Sequence, residues 1–307
     1  MLDAISNVLS FSFYEGLVFG LVAIGVYLTL RVLSFPDLTV DGSYTLGGGT
    51  AAVLIVDGVH PFVATLAAVG VGLCAGLVTG LLNTKLRLPA LLAGILMMVG
   101  LYSINLRVMD GANVSLLREV TAFDKVADFL GLRTGIIEVS IIVAFVIAVI
   151  VFLILNWFLR TEIGLALRAT GDNEQMVRSL GVDTDKNILM GCAISNGLVG
   201  LAGAVVAQGQ GFADVGMGIG MIVMGLASVI IGEALFRPRG VARLLLAAVG
   251  GAFVYRLFLS AVLRWGMPPF EPGDLKLITA ALVIIALAVP FVRKKLRHEW
   301  MPPATRW

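Results

Sequence analysis

Charge is what this chain has least of: only 14% of its 307 residues are Asp, Glu, Lys or Arg. A typical soluble domain carries about 25%, so there is too little polar surface here to clad soluble domains of this length. Cysteine is almost as scarce. Cys74 and Cys192 both fall inside apolar runs, which excludes a disulfide framework and points to small buried core residues. The two histidines, His60 and His298, lie far from the cysteines and from each other, so no metal-ligand spacing exists. No Gly-x-x-x-x-Gly-Lys-Ser/Thr phosphate loop occurs, which excludes ATP hydrolysis by that route. No constellation of catalytic groups is present either. The expectation is a chain that performs no covalent chemistry and binds no cofactor or metal of its own. A formal net charge of +2 gives no reason to expect a nucleic-acid partner.

What is present is apolar. Hydrophobic residues make up 59% of the chain and the mean hydropathy is +0.99. Glycine is abundant, at 36 residues, which suits membrane helices whose backbones approach closely. The class is an all-α polytopic membrane protein, one transmembrane domain over residues 1–307. A bilayer core needs roughly 20 apolar residues per helix. That ruler places nine spans, with a tolerance of one, near 12–32, 41–57, 61–84, 88–107, 136–159, 187–208, 215–236, 240–263 and 274–292. Gly47, Gly48 and Gly49 interrupt the second, so it reads equally as a crossing or as a broken, partly re-entrant helix. Residues 1–11 carry Asp3 and no Lys or Arg, so the first run is expected to be retained and not cleaved as a signal peptide.

The basic residues then set the orientation. Arg31, Lys85, Arg87, Arg160, Arg168, Arg178, Lys186, Arg237, Arg239, Arg243 and the cluster in the tail 293–307 fall on one side of the alternating spans. Arg107, Arg118, Lys125, Arg133, Arg264 and Lys276 fall on the other. The excess marks the cytoplasmic side, which puts the N-terminus outside and the C-terminus in the cytoplasm. The long external connection, 108–135, has Val120, Phe123, Val126, Ala127 and Leu130 at helical spacing, which predicts a short amphipathic helix.

Between the apolar runs 136–159 and 188–207 lies a polar island. Eight charged residues fall within 162–186. Residues 164–169 could finish a helix descending from the membrane, and Gly171-Asp172-Asn173 supplies a turn. Asp172 or Asn173 is then placed to cap a helix beginning at Glu174. Gly181 is placed to end it, and Met176, Val177 and Leu180 form an apolar knob. Such an island reads as an attachment point for a soluble partner.

The stretch LRATGDNEQMVRSLGVDTDKNILMGCAISNGLVGLAGAV, 167–205, resembles the cytoplasmic loop and following helix of ABC importer permeases of the branched-chain-amino-acid and ribose type. The matching features are Arg168-Ala169, Gly171-Asp172-Asn173, Leu180-Gly181-Val182 and the Gly197, Gly200, Ala202, Gly203 run. VIIGEALFRPRG, 229–240, is similar to a second family block, with Glu233 and Arg237-Pro238 where the family has glycines or small residues. LSFPDLTVDGSYTLGGGTAA, 33–52, looks like the opening of a subgroup working with amino-acid-binding proteins. The resemblance spans roughly residues 12–292. It implies an ATPase-coupling helix carried by Arg168, Ala169, Gly171, Asp172, Asn173, Met176, Val177, Leu180 and Gly181. It also implies two ABC ATPase subunits that use ATP and Mg, a second permease copy forming a homodimer, an external solute-binding protein, and residence in the bacterial inner membrane. The implied cargo is an amino acid or related solute, with a ribose-type sugar as the alternative. A self-contained secondary transporter or channel is the reading from another class. It would want paired broken helices and intramembrane acids, and neither is plain.

Polar residues at membrane depth face a cavity or a partner helix. Thr45, Asn105, Ser195, Asn196, Gln208 and Gln210 are therefore the pathway candidates. Asp37 and Asp41 flank the second span, with Asp41 placed to cap it. Glu233 and Arg237 are spaced to pair one turn apart. Arg256, deep in the eighth span, must snorkel, find an acidic partner or line water.

Overall fold

The structure, a computed structural model, describes residues 2–131 and 136–265, with Leu277, Ala280, Ala281 and Ile284 as isolated helical positions. The expected ninth span lies outside the described residues but for those four positions, and the tail 293–307 lies wholly outside. Helices occupy every other expected span: α1 (Leu2–Tyr27, extended by a π-helical turn over Leu28–Val32), α2 (Thr39–Val56), α3 (Pro61–Thr84) and α4 (Ala90–Val108), then α6 (Ile136–Phe158), α9 (Thr184–Gln210), α10 (Met221–Phe236) and α11 (Val241–Trp265). Six of the described helices are long and apolar enough to cross a bilayer. α2 and α10 are the exceptions to the expected count. α2 is buried along most of its length and less apolar, and α10 has only 16 residues.

Of the two readings of the second span, a crossing or a broken helix, α2 shows no break. The helix runs unbroken through Gly47–Gly49, because these glycines serve a crossing and not a bend. A Cβ on Gly47 would meet the backbone of Gly200, and one on Gly203 would meet the backbone of Tyr44. Helices approach this closely only where both faces lack side chains. α9 is the centre of the bundle, clasped by α2, α3 and α1. α6 shows the other regime. Val143, Ala144, Ala148, Val151 and Leu155 are buried in the core, while Phe145, Ile150, Leu153, Ile154 and Trp157 stand exposed. That is an apolar helix with one face to protein and one to lipid.

One departure from the expected pattern concerns the start of a span. The seventh span does not run from 215. Residues 212–214 pair as β2 (Phe212–Asp214), antiparallel to β1 (Asn113–Ser115), and the helix begins at Met221. Two three-residue strands are too short to carry a periodicity signal, so the all-α expectation missed them. Beside them, α5 (Ala122–Leu130) is the expected amphipathic helix. It is fixed by a capping box in which Thr121 accepts from the Asp124 N–H and the Asp124 carboxylate accepts from the Thr121 N–H. Cys192 is buried as expected, but Cys74 is exposed on the outer face of α3.

Candidate functional site

The polar island folds as two helices, α7 (Glu162–Asp172) and α8 (Glu174–Ser179). α7 is not the tail of α6. The chain breaks at residues 159–161, and the Thr161 hydroxyl caps the new helix by accepting from the Gly164 N–H. Gly171 and Asp172 still belong to α7. The turn is Asn173 alone, in extended conformation, and its side chain accepts from the Met176 N–H at 3.0 Å to cap α8. Gly181 follows at φ +84°, a conformation that costs glycine nothing and other residues strain, and its N–H closes onto the Arg178 carbonyl.

The apolar knob is smaller than expected. Val177 is turned inward at 3% exposure, whereas Met176 and Leu180 stand out at 49% and 73%. One apolar residue anchors this short helix and two are presented. Arg178 ties it down from the polar side. Its guanidinium reaches Glu174 at 2.9 Å, Asp185 at 3.0 Å and the Thr184 hydroxyl at 2.8 Å. Asp183 caps α9, and the hydrogen bond from Lys186 holds its carboxyl below the usual carboxylate range. α7 is joined to the bundle at two points: Asn187 donates to the Thr170 hydroxyl, and Gly171 sits against the backbone of Val32 and Leu33. Arg168 and Ala169 are half-buried on α7, and Asp172 is exposed. Six residues alone could not hold a helix in water; these fixings do.

The residues expected to line a pathway divide into two groups. Ser195, Asn196 and Gln208 hold helices together. Ser195 donates to the Gly25 carbonyl on α1 at 2.7 Å. Asn196 donates to Asp37 at 2.6 Å and accepts from Ser43 at 2.7 Å. Gln208 accepts from the Ala122 N–H and donates to Thr65, tying α9 to α5 and α3. Thr45 and Asn105 instead border a cavity of about 450 Å³ beside Asp41 and Tyr102, and Asn105 also donates to the Gly42 carbonyl. Gln210 is exposed at the rim of a second cavity.

Asp37 takes the role foreseen for Asp41. Asp37, fully buried, accepts from the Thr39 N–H at 2.9 Å and so satisfies the start of α2. Asp41 accepts from the Gly220 and Ile222 N–H groups at 2.9 and 2.8 Å. It therefore caps α10, not its own helix, and places an anion at a helix N-terminus. The chain from β2 reaches that point through Gly218, whose N–H donates to Thr45. Removing the Asp37 carboxylate would leave buried donors unpaired, a loss of about 1–3 kcal/mol per group. Asp37→Ala and Asn196→Ala should each lower the melting temperature in detergent, and the double variant should fall by much less than their sum. Additive losses would show that the two residues act separately.

The remaining charges also find partners that spacing did not suggest. Glu233 pairs with Arg31 across the α1–α10 contact and not with Arg237; Arg237 adopts φ +42° and ends α10. Arg256 pairs with Glu15 of α1 at 3.4 Å, its guanidinium lying 3.6 Å over the Phe19 ring. Both face the cavity whose rim holds Gln210. Glu15, Tyr14 and Tyr44 carried no sequence signal. Only the isolation of Arg256 in an apolar run asked for an acid somewhere.

A family profile described as branched-chain amino acid transport system / permease component matches residues 8–288. The chain belongs to that family. It is 42% identical over 275 residues to the tyrosine transport system permease protein of Clostridioides difficile, covering 89% of this chain and 88% of the relative. It is 32% identical to an uncharacterized protein of Rickettsia prowazekii, covering 92% and 97%. It is 28% identical to the ribose import permease protein RbsC of Escherichia coli, over 69% and 64%. No solved structure matches it. As an ABC importer permease of the branched-chain and ribose type, it is a multi-pass membrane subunit for import of a small solute. Membership implies ABC ATPase partners and a solute-binding protein.

Proposed function

We propose that this permease subunit carries an amino acid, of the tyrosine type, through an ATP-driven importer that works by alternating access. Two copies of the chain pair with two ATPases, which bind ATP and Mg, and with an external solute-binding protein. The complex sits in the bacterial inner membrane with the N-terminus outside and the island in the cytoplasm. The observation that carries the coupling half of this reading is the clamped helix α8. Its two presented apolar side chains stand on a frame fixed by Arg178, and that frame rests through Gly171 on the end of α1. A push on α8 is thereby delivered to the helix that carries Glu15. Arg31, the island and the Glu233 end of α10 share one end of the bundle, in keeping with a basic cytoplasmic side.

The amino-acid half rests on the tyrosine permease relative, at 42% identity against 28% for the ribose permease. Reconstitution into proteoliposomes with the cognate ATPase and binding protein tests both halves. Uptake of radiolabelled L-tyrosine should require ATP and the binding protein. Uptake of ribose in its place would transfer the substrate to the sugar class. Tyrosine uptake driven by an ion gradient without the ATPase would make the chain a secondary transporter.

A further inference from the structure

We infer that the cavity between α1, α2 and α11 is a binding site for a zwitterionic α-amino acid with an aromatic side chain. Glu15 receives the ammonium and Arg256 the carboxylate. The inference rests on the amino-acid reading above and names the residues that would serve it. The cavity measures about 420 Å³, within the range of about 300–1,000 Å³ typical of small-molecule sites. It lies at the opposite end of α1 from the island.

Three observations point to a ligand. First, Glu15 and Arg256 are 18% and 16% exposed, so both charges are largely withdrawn from water, an expense that at membrane depth marks function by default. Second, the pair is loose. Charge-assisted hydrogen bonds close to about 2.7–2.9 Å, whereas these groups stand 3.4 Å apart, and the buried Arg256 Nε has no partner among the described residues. Each group keeps hydrogen-bonding capacity for something else. Third, the wall around them is aromatic. Phe19 and Tyr44 stack with centroids 6.4 Å apart, and the buried hydroxyls of Tyr14 and Tyr44 lack partners among the described residues. Buried polar groups are seldom left unpaired without a reason.

The charge balance selects the ligand class. A lone cation or anion would satisfy one member of the pair and confront the other with a like charge. A zwitterion matches both members of the Glu15–Arg256 pair and adds no net charge, which matters where the dielectric constant is low. The ring of an aromatic amino acid then lies against the aromatic lining of the cavity, which also includes Phe11 and Phe212, and a phenolic hydroxyl would meet unpaired tyrosine hydroxyls. At the mouth, Asp214 Oδ1 accepts from the Gly216 N–H at 2.7 Å, which ties one oxygen of that carboxylate to the backbone.

The test is equilibrium binding of tritiated L-tyrosine to the purified full chain in nanodiscs. The competitors are tyramine, which lacks the carboxylate, and 3-(4-hydroxyphenyl)propionate, which lacks the amine. On the wild type, L-tyrosine should compete at least about tenfold better than either analogue. Arg256→Gln should weaken L-tyrosine and the propionate about tenfold to a hundredfold and, by removing the like charge that tyramine meets, leave tyramine bound as well as before or better. Glu15→Gln should weaken L-tyrosine and tyramine and leave the propionate bound as well as before or better. A purely structural ion pair would move all three ligands together, and that result overturns the assignment. So does wild-type protein that binds no L-tyrosine, or binds it no better than the analogues, an arm that needs no variant to fold. ATP-driven tyrosine uptake at the wild-type rate by complexes carrying either variant would also remove the site while leaving the importer reading intact. A wild-type complex that imports no amino acid would instead remove the reading beneath it.

Discussion

Gly47→Leu should abolish the folded protein. Added side-chain atoms at this position meet the carbonyl oxygen and Cα of Gly200, and Gly200 in turn lies against the Ala68 carbonyl of α3. Overpacking that neighbouring side chains can relieve costs about 1–3 kcal/mol. Here the obstacle is backbone on both sides, so relief requires α2 and α9 to part. Parting them breaks the Asp37–Asn196–Ser43 bonds as well. The combined loss is a large share of a typical stability of about 5–15 kcal/mol. In detergent, the variant should lose its monodisperse size-exclusion peak and yield at least about tenfold less protein. Gly70→Leu and Gly100→Leu are the controls. A Cβ at either site has nothing within 4 Å, so both should behave as wild type. A Gly47→Leu protein as stable as those controls would mean that the α2–α9 crossing is looser than described.

The same contrast explains what the sequence could disclose. Helices such as α3, α6 and α11 announce themselves because lipid demands long apolar runs, and composition records that demand directly. α5 and the Asn173 cap were legible for a related reason: periodicity and capping are local rules, complete within a few residues. The glycine triplet at 47–49 was visible but ambiguous. Flexibility and close packing call for the same residue, and only the partner glycines on α9 decide between them.

Polar residues were harder to place. Asp41 stands in the first turn of α2, yet its carboxylate serves α10, some 180 residues later in the chain. Glu233 had a partner four residues away and took one on α1. Glu15 looked like an unremarkable residue near the start of the chain until α11 was folded against α1. Sequence spacing ranks neighbours along one helix, whereas at membrane depth a charge takes the best partner across helices. Ser195, Asn196 and Gln208 were identifiable as polar residues out of water, but their bonds to α1, α2, α3 and α5 needed the tertiary structure.

Met176→Asp combined with Leu180→Asp should uncouple transport while leaving the membrane fold intact. Both side chains are exposed, and neither belongs to the buried clusters. The changes therefore remove presented apolar surface without opening a cavity, and surface substitutions of this kind usually shift stability within about 0.5 kcal/mol. At a docking surface the same change is severe. Two apolar anchors become two carboxylates that must be desolvated without partners, and central anchors commonly account for about 2 kcal/mol or more each. Loss of two such anchors is more than a hundredfold in affinity. Co-purification with the cognate ATPase should fail, and ATP-dependent uptake should fall to background, with the melting temperature unchanged. Val177→Asp supplies the opposite phenotype, since its side chain is buried and its loss should unfold the island itself. If the double variant still binds the ATPase and transports, the docking element lies elsewhere. If it loses binding and melts early, α8 is holding the bundle together and not meeting a partner.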